Sequence, residues 1–133
     1  MTPVIPTITA AYAALLGLLA VLLAVRVIRL RGSLAVEIGD GGKAPMAQAI
    51  RAHANFAEHV PMALIVLAFA EALGSPALAV HGLAIVLLVA RGLSAWGLSR
   101  SLGPTTPRQA GAGLTVLVVV LSCALILYRT LVR

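Results

Sequence analysis

The chain has 133 residues, of which 61% are hydrophobic and 11% are charged, and ten basic against four acidic residues give it a net charge of +6. A water-soluble domain carries about 25% charged residues, so this composition excludes most soluble enzymes, disordered proteins and nucleic-acid-binding modules. It is typical of an integral membrane protein, and we expect residues 1–133 to form one membrane domain.

The first predicted element is a membrane-spanning helix over residues 5–30. Its uncharged stretch, residues 7–25, is long enough to cross a hydrocarbon core of about 30 Å. Arginines follow this stretch instead of preceding it, which favours a first span over a cleaved signal peptide. Residues 34–45 then contain Gly39-Asp40-Gly41-Gly42 and are predicted to form a loop.

Three further helices are predicted along the chain. The second covers residues 46–73 and ends at Gly74-Ser75-Pro76. The third covers residues 76–102 and the fourth residues 108–131, where the length of the apolar run favours a transmembrane helix over a buried strand. The sequence therefore predicts an all-α fold, a membrane bundle of four helices.

The basic residues predict the orientation of the four spans. Most of them fall on the side that holds the glycine-rich loop and the turn between helices 3 and 4. By the positive-inside rule this side is cytoplasmic, so both termini are expected in the periplasm if the protein lies in a bacterial inner membrane. The basic residues on the cytoplasmic side are Arg26, Arg29, Arg31, Lys43, Arg51, Arg100 and Arg108, with Arg91 deeper in helix 3, against Arg129 and Arg133 on the other side.

Helix 2 carries the densest set of polar residues. Arg51, Asn55 and Glu58 are spaced i, i+4 and i+7, so they fall on one stripe of a helix. Such a stripe is able to bind a zwitterionic or peptide-like ligand, because arginine pairs with a carboxylate and the other two side chains pair with amide or ammonium groups. A buried Arg–Glu pair that locks helices together, with the asparagine as an interhelical bond, explains the pattern equally well.

Two further arginines are unusual for a membrane helix. Arg91 follows a long apolar run and lies too deep to reach water, so it needs Glu58, a ligand or a carbonyl group as its partner. Arg108 begins helix 4, where a cation opposes the helix dipole. Arg108 therefore either belongs to a functional site or serves only as one of the basic residues that keep this side of the protein in the cytoplasm.

The histidines and the single cysteine predict no metal site. His53 and His59 are six residues apart and do not share a helix face, and Cys123 alone excludes an internal disulfide and a zinc cluster. His81, near the outer end of helix 3, is expected to form a hydrogen bond between helices.

Several motifs together resemble one family of membrane proteins. Gly39-Asp40-Gly41-Gly42, the segment RAHANFAEHVP at residues 51–61, and Glu71, Gly74, Arg91 and Gly97-Leu98 further on resemble the bacterial branch of the MAPEG family, the membrane-associated proteins in eicosanoid and glutathione metabolism. The resemblance implies a homotrimer of four-helix subunits. It also implies that glutathione binds between adjacent subunits, toward the cytoplasmic side.

The resemblance also implies roles for individual residues. Arg108 falls near the arginine that stabilises the glutathione thiolate, and Arg29 or Arg31 corresponds to a helix 1 arginine that meets a glutathione carboxylate. The tyrosines that eukaryotic members carry in helix 3 are absent, with Ser94 and Leu98 near those positions. Residues matched to the glutathione-binding positions are Arg51, Asn55, Glu58 and Arg91, with His59 standing where an aromatic residue often follows the glutamate.

The activity that the resemblance implies is that of a glutathione transferase or peroxidase in detoxification. Glutathione would be the thiol cosubstrate, and a lipophilic electrophile or hydroperoxide would arrive from the membrane lipids. The alternative is a non-catalytic binding or structural protein that holds a lipid or an anion in the same pocket. A four-span transporter with Glu58 as its proton coupler ranks last, since helix 1 has no acidic residue.

Overall fold

A computed structural model describes residues 5–132, so Arg133, which was expected on the periplasmic side, lies outside the described residues. All four helices are long and apolar enough to span a membrane, and no strand occurs between residues 5 and 132. The predicted all-α, four-span fold is confirmed for this part of the chain. The helices are α1 (Thr7–Leu34), α2 (Ala44–Ala72), α3 (Ala77–Arg100) and α4 (Thr106–Leu131).

The first helix is longer than its apolar run. It continues four residues beyond the predicted end at residue 30 and stops at Ala35, which adopts a left-handed conformation (φ 51°, ψ 49°) and donates its N–H to the carbonyl of Arg31. This last turn carries Arg31 and follows the end of the apolar run. The other predicted ends lie within two residues of the observed ends, and the end of the fourth helix coincides with the prediction.

The loop between α1 and α2 is closed by side chains. Val36 is buried beneath Gly41, where a β-carbon would lie 2.8 Å from the valine and where φ is also positive, so two constraints require glycine. Arg31 folds over the same loop. Its Nη1 donates to the carbonyl oxygens of Val36, Glu37 and Gly39 at 3.0 to 3.3 Å.

The helix pair α2–α3 is the centre of the bundle. Both helices contact α1 and both contact α4, whereas the described parts of α1 and α4 do not pack on each other. We call the end that holds the α1–α2 loop and the α3–α4 turn the loop end, and the opposite end, with the α2–α3 turn, the terminal end. Core side chains include Leu16, Leu23, Phe56, Val60, Leu87, Leu98 and Val118.

A carboxylate of α2 caps the start of α1 at the terminal end. The N-cap residue of α1 is Pro6, and the first turn offers neither a capping side chain nor an acidic residue. Glu71, which is 5% exposed, fills this gap. One of its oxygens accepts the N–H of Ile8 at 2.8 Å, and the other accepts the N–H and the hydroxyl of Thr9 at 2.7 and 2.6 Å. Sequence reasoning missed this contact, although an uncapped helix start and an isolated glutamate were its visible signs.

A second polar contact at the terminal end joins α1 to α3. The hydroxyl of Tyr12 lies 3.2 Å from Nδ1 of His81, and the two rings meet edge to face. The prediction that His81 forms a hydrogen bond between helices is confirmed.

Candidate functional site

The polar stripe predicted on α2 is present on the surface of the bundle. Arg51 and Glu58 form an ion pair with 3.6 Å between Nη1 and Oε1, and their side chains are 48% and 53% exposed. The pair joins two residues of one helix. The expectation of a buried Arg–Glu pair that locks two helices together is therefore wrong for these two residues, because both side chains point away from the core.

The depth of this ion pair makes its exposure significant. About 20 residues cross the hydrocarbon core, and counted back from the end of α2 at Ala72 they reach His53. Arg51 then lies at the interface on the loop-end side, and Glu58 lies about 7 Å inside it. A charge that faces lipid chains is costly, up to about 3 kcal/mol at the centre of a span. This face of α2 therefore suits protein or a polar ligand as its neighbour and not lipid chains.

Arg91 is the largest fully buried side chain, 1% exposed, and it ties three helices together. Its Nη1 donates to Oδ1 of Asn55 on α2 at 3.1 Å. Its Nη2 donates to the hydroxyl of Ser94 at 2.9 Å and to the carbonyl of Gly111 on α4 at 3.1 Å. The expected partners were Glu58, a ligand or a carbonyl, and the structure provides a carbonyl together with two neutral side chains.

The charge of Arg91 has no acidic partner among residues 5–132, where the one ion pair is that of Arg51 with Glu58. Its Nε is also buried and has no hydrogen-bond partner in the same part of the chain. The guanidinium thus places a positive charge directly behind the polar stripe, where it contacts the carboxamide of Asn55. An anionic ligand on the stripe would be attracted by this charge.

Arg91 reaches Gly111 only because α3 and α4 approach closely at this glycine. A β-carbon at Gly111 would lie 2.5 Å from the carbonyl oxygen of Ala90 and 2.9 Å from the backbone nitrogen of Ser94, whereas a β-carbon at Gly113 would meet nothing within 4 Å. Glycine at position 111 therefore sets the distance between the two helices.

Gly111→Ala is expected to lower the free energy of unfolding by about 1–3 kcal/mol, because the added methyl group forces the two backbones apart. Gly113→Ala is the matched control. It is expected to be neutral or slightly stabilising, since alanine is the better helix former. Thermal unfolding of both variants in detergent checks this, and equal effects of the two substitutions would contradict the close approach of α3 and α4.

His59 lies beside the polar stripe and is held by its own helix. Its Nδ1 lies 2.8 Å from the backbone carbonyl of Asn55, and since a carbonyl only accepts, Nδ1 carries the proton. In the neutral ring the other nitrogen is an acceptor. The histidine is half-buried next to the asparagine that Arg91 contacts. Asn55 is thus contacted both by His59 of α2 and by Arg91 of α3.

Arg108 lies in the first turn of α4 at the loop end. Its Nη1 donates to the carbonyl oxygens of Leu102 and Gly103 at 3.0 and 3.4 Å, across the α3–α4 turn. The side chain also lines a surface groove of about 380 Å³ with Pro104 and Gln109. No hydrogen bond or ion pair in the described chain joins Arg108 to the polar stripe of α2.

The two arginines of α1 that the resemblance implicates have different surroundings. Arg31 is engaged by the carbonyl oxygens of the α1–α2 loop. Arg29 is exposed and lines a groove with Arg26, and none of the polar stripe residues lines that groove. Between the two, Arg29 is therefore the side chain that is available to a ligand.

Comparison with known proteins finds one matching family and two similar proteins. The model of the MAPEG family matches residues 9–128. The chain is also 37% identical over 95 residues to the inner membrane protein YecN of Escherichia coli (strain K12), a match that covers 71% of this chain and 72% of that protein. The protein of the same name from Escherichia coli O6:H1 gives the same identity and coverage.

Proposed function

This chain belongs to the MAPEG family, and we propose that it is an inner-membrane, glutathione-binding transferase or peroxidase that works as a homotrimer. An inner-membrane location is supported by its four spans and by the name of the E. coli relatives. Glutathione and three-fold assembly are what the family resemblance implies, and the geometry of α2 supports both.

The observation that carries the proposal is the half-exposed Arg51–Glu58 pair on a membrane-spanning face. In a trimer a neighbouring subunit covers this face, which removes the cost of exposing charge to lipid. Glutathione bound at the same place pairs with the charges of Arg51 and Glu58 that the neighbouring subunit does not contact. Its carboxylates pair with Arg51 and its ammonium pairs with Glu58.

The residues behind the stripe then position the ligand. Arg91 holds the carboxamide of Asn55 by its oxygen, so the amide NH₂ group is free to donate to a ligand carbonyl. The protonated Nδ1 of His59 is used by the backbone of Asn55, so the opposite nitrogen can accept from a ligand N–H. Both groups suit the peptide bonds of glutathione.

The chemical step needs a thiolate, since the thiol itself is a poor nucleophile with a pKa near 8.5. Arg108 supplies a cation that favours the thiolate and has no readily lost proton. The thiolate attacks an electrophilic carbon, forms a thioether and expels the leaving group. With a hydroperoxide it attacks the terminal oxygen, the O–O bond breaks, and the alkoxide leaves and takes a proton from solvent to become the alcohol. A second glutathione then reduces the sulfenic acid to the disulfide and releases water.

Glutathione is expected to stabilise the detergent-purified protein saturably against heat. Binding to the native state adds about 2.7 kcal/mol at a hundredfold excess of ligand over Kd. Arg51→Ala should lose most of the shift, and Arg51→Lys should recover only part of it, because lysine lacks the planar fork. Arg100→Ala is the control, since that residue stacks on Trp96 and lies outside the stripe. The proposal would be wrong if glutathione stabilised Arg51→Ala as much as the native protein, or if it did not stabilise the native protein at all.

A non-catalytic binding role is the second candidate. The observation in its favour is that Arg108 is engaged by the carbonyl oxygens of its own turn. Under this reading glutathione or another anion stabilises the protein but no thiolate forms. Ultraviolet absorbance of the bound thiolate separates the two candidates, since a transferase or peroxidase shows that band at neutral pH and a binding protein does not.

A further inference from the structure

A groove on α1, away from the polar stripe, combines charge with apolar walls. It lies toward the loop end and has a volume of about 410 Å³. Neither the stripe residues nor Arg108 contribute to it. Its lining residues are Leu22, Val25, Arg26, Arg29, Leu30 and Pro45.

The two arginines make one end of this groove strongly positive. They are three residues apart on α1 and therefore point to the same side. Arg26 is held in place by a hydrogen bond to the hydroxyl of Ser99 on α3. Arg29 is exposed, and neither arginine forms an ion pair with an acidic residue among residues 5–132. Two guanidiniums without a counterion favour an anionic group between them.

The rest of the groove is apolar and runs into the membrane. Leu22, 66% exposed, lies seven residues before Arg29, which is about 10 Å along the helix axis. The leucine therefore sits at the depth of the lipid chains when the arginines sit at the headgroups. A tripeptide or a free phosphate would find no partner beside Leu22 and Val25, whereas an acyl chain would bury apolar surface there.

We propose that this groove binds an anionic phospholipid of the leaflet at the loop end. The phosphate lies between Arg26 and Arg29, and one acyl chain follows Leu22 and Val25. This gives Arg29 a role that differs from contact with a glutathione carboxylate. The assignment does not depend on glutathione chemistry.

The test measures thermal unfolding of delipidated protein in dodecylmaltoside with added dioleoylphosphatidylglycerol. The lipid is expected to raise the unfolding midpoint saturably, whereas dioleoylphosphatidylcholine and inorganic phosphate leave it unchanged. Arg29→Ala should weaken the apparent Kd about fivefold, and the Arg26→Ala/Arg29→Ala double variant about 25-fold. Arg100→Ala, which removes a basic residue from the same end, is the matched control and should keep the native Kd.

Leu22→Trp tests the apolar half of the groove without altering its charge. The side chain is largely exposed, so the larger residue fits without disturbing the core, but it fills the path of the acyl chain. We expect it to weaken phosphatidylglycerol binding while native folding is kept. The proposal is overturned if Arg29→Ala retains the native Kd, if inorganic phosphate produces the same shift as the lipid, or if Leu22→Trp leaves the shift intact. If Arg29→Ala lost stabilisation by glutathione as well as by the lipid, Arg29 would belong to the glutathione site and the proposal would also be overturned.

Discussion

Replacement of Arg108 by alanine is expected to lower glutathione turnover about 100-fold, the size of effect seen when one group that stabilises a developing anion is removed. The cation of Arg108 is proposed to favour the thiolate of bound glutathione. Without it, the pH at which the bound thiol ionises should rise toward the value near 8.5 of a free thiol. The measurement is the pH dependence of turnover and of thiolate absorbance in the purified variant.

The same side chain also closes the α3–α4 turn, so the controls must separate chemistry from structure. Arg108→Lys keeps the positive charge but loses the planar guanidinium. In this variant the bound thiol should still ionise at a lower pH than a free thiol, and turnover should be intermediate. The mass of the assembly in detergent should stay the same in both variants. If Arg108→Ala lost turnover but kept the native thiolate absorbance, the residue would act on the turn and not on sulfur.

Replacement of Arg91 by leucine is expected to lower the free energy of unfolding by about 2–4 kcal/mol. The change removes the buried charge, which by itself is favourable. It also breaks three hydrogen bonds and leaves Oδ1 of Asn55 and the hydroxyl of Ser94 without the donor that Arg91 provides, whereas the carbonyl of Gly111 keeps the hydroxyl of Thr115. The second effect is larger because the lost hydrogen bonds join three helices and because Ser94 stays buried.

Equilibrium unfolding in mixed micelles measures this loss. Arg91→Lys keeps the charge but cannot reach acceptors on three helices at once, so it should fall between the native protein and Arg91→Leu. Arg100→Leu removes an exposed arginine of the same helix that stacks on Trp96, and it should cost less than about 1 kcal/mol. If Arg91→Leu were as stable as the native protein, the three hydrogen bonds would make no net contribution to the free energy of unfolding.

The four helices could be predicted from the sequence because each contains a stretch that is long and apolar enough to cross a bilayer, even though polar residues fill the first half of α2 and Arg91 interrupts α3. The stripe of Arg51, Asn55 and Glu58 could be predicted for a similar reason, since helical periodicity alone places these residues on one face. Both inferences use only neighbours along the chain. They needed no knowledge of how the helices pack.

The contacts that sequence reasoning missed are those between distant segments. Asn55 and Gly111 lie 36 and 20 residues from Arg91 along the chain, and no local pattern reports that one guanidinium joins them. Arg31 looked as available to a ligand as Arg29, until the folding of the α1–α2 loop placed three carbonyl oxygens around it. Side-chain partners of this kind depend on helix rotation and loop conformation, which hydropathy does not determine.

The cap that Glu71 provides for α1 has a consequence for how the protein is made. The first helix is synthesised before residue 71 exists, so it enters the membrane with the N–H groups of Ile8 and Thr9 still lacking their final acceptor. The acceptor arrives only when the second helix has carried its carboxylate across the bilayer to the terminal end. A nascent chain released before residue 71 therefore lacks the three hydrogen bonds that cap its first helix.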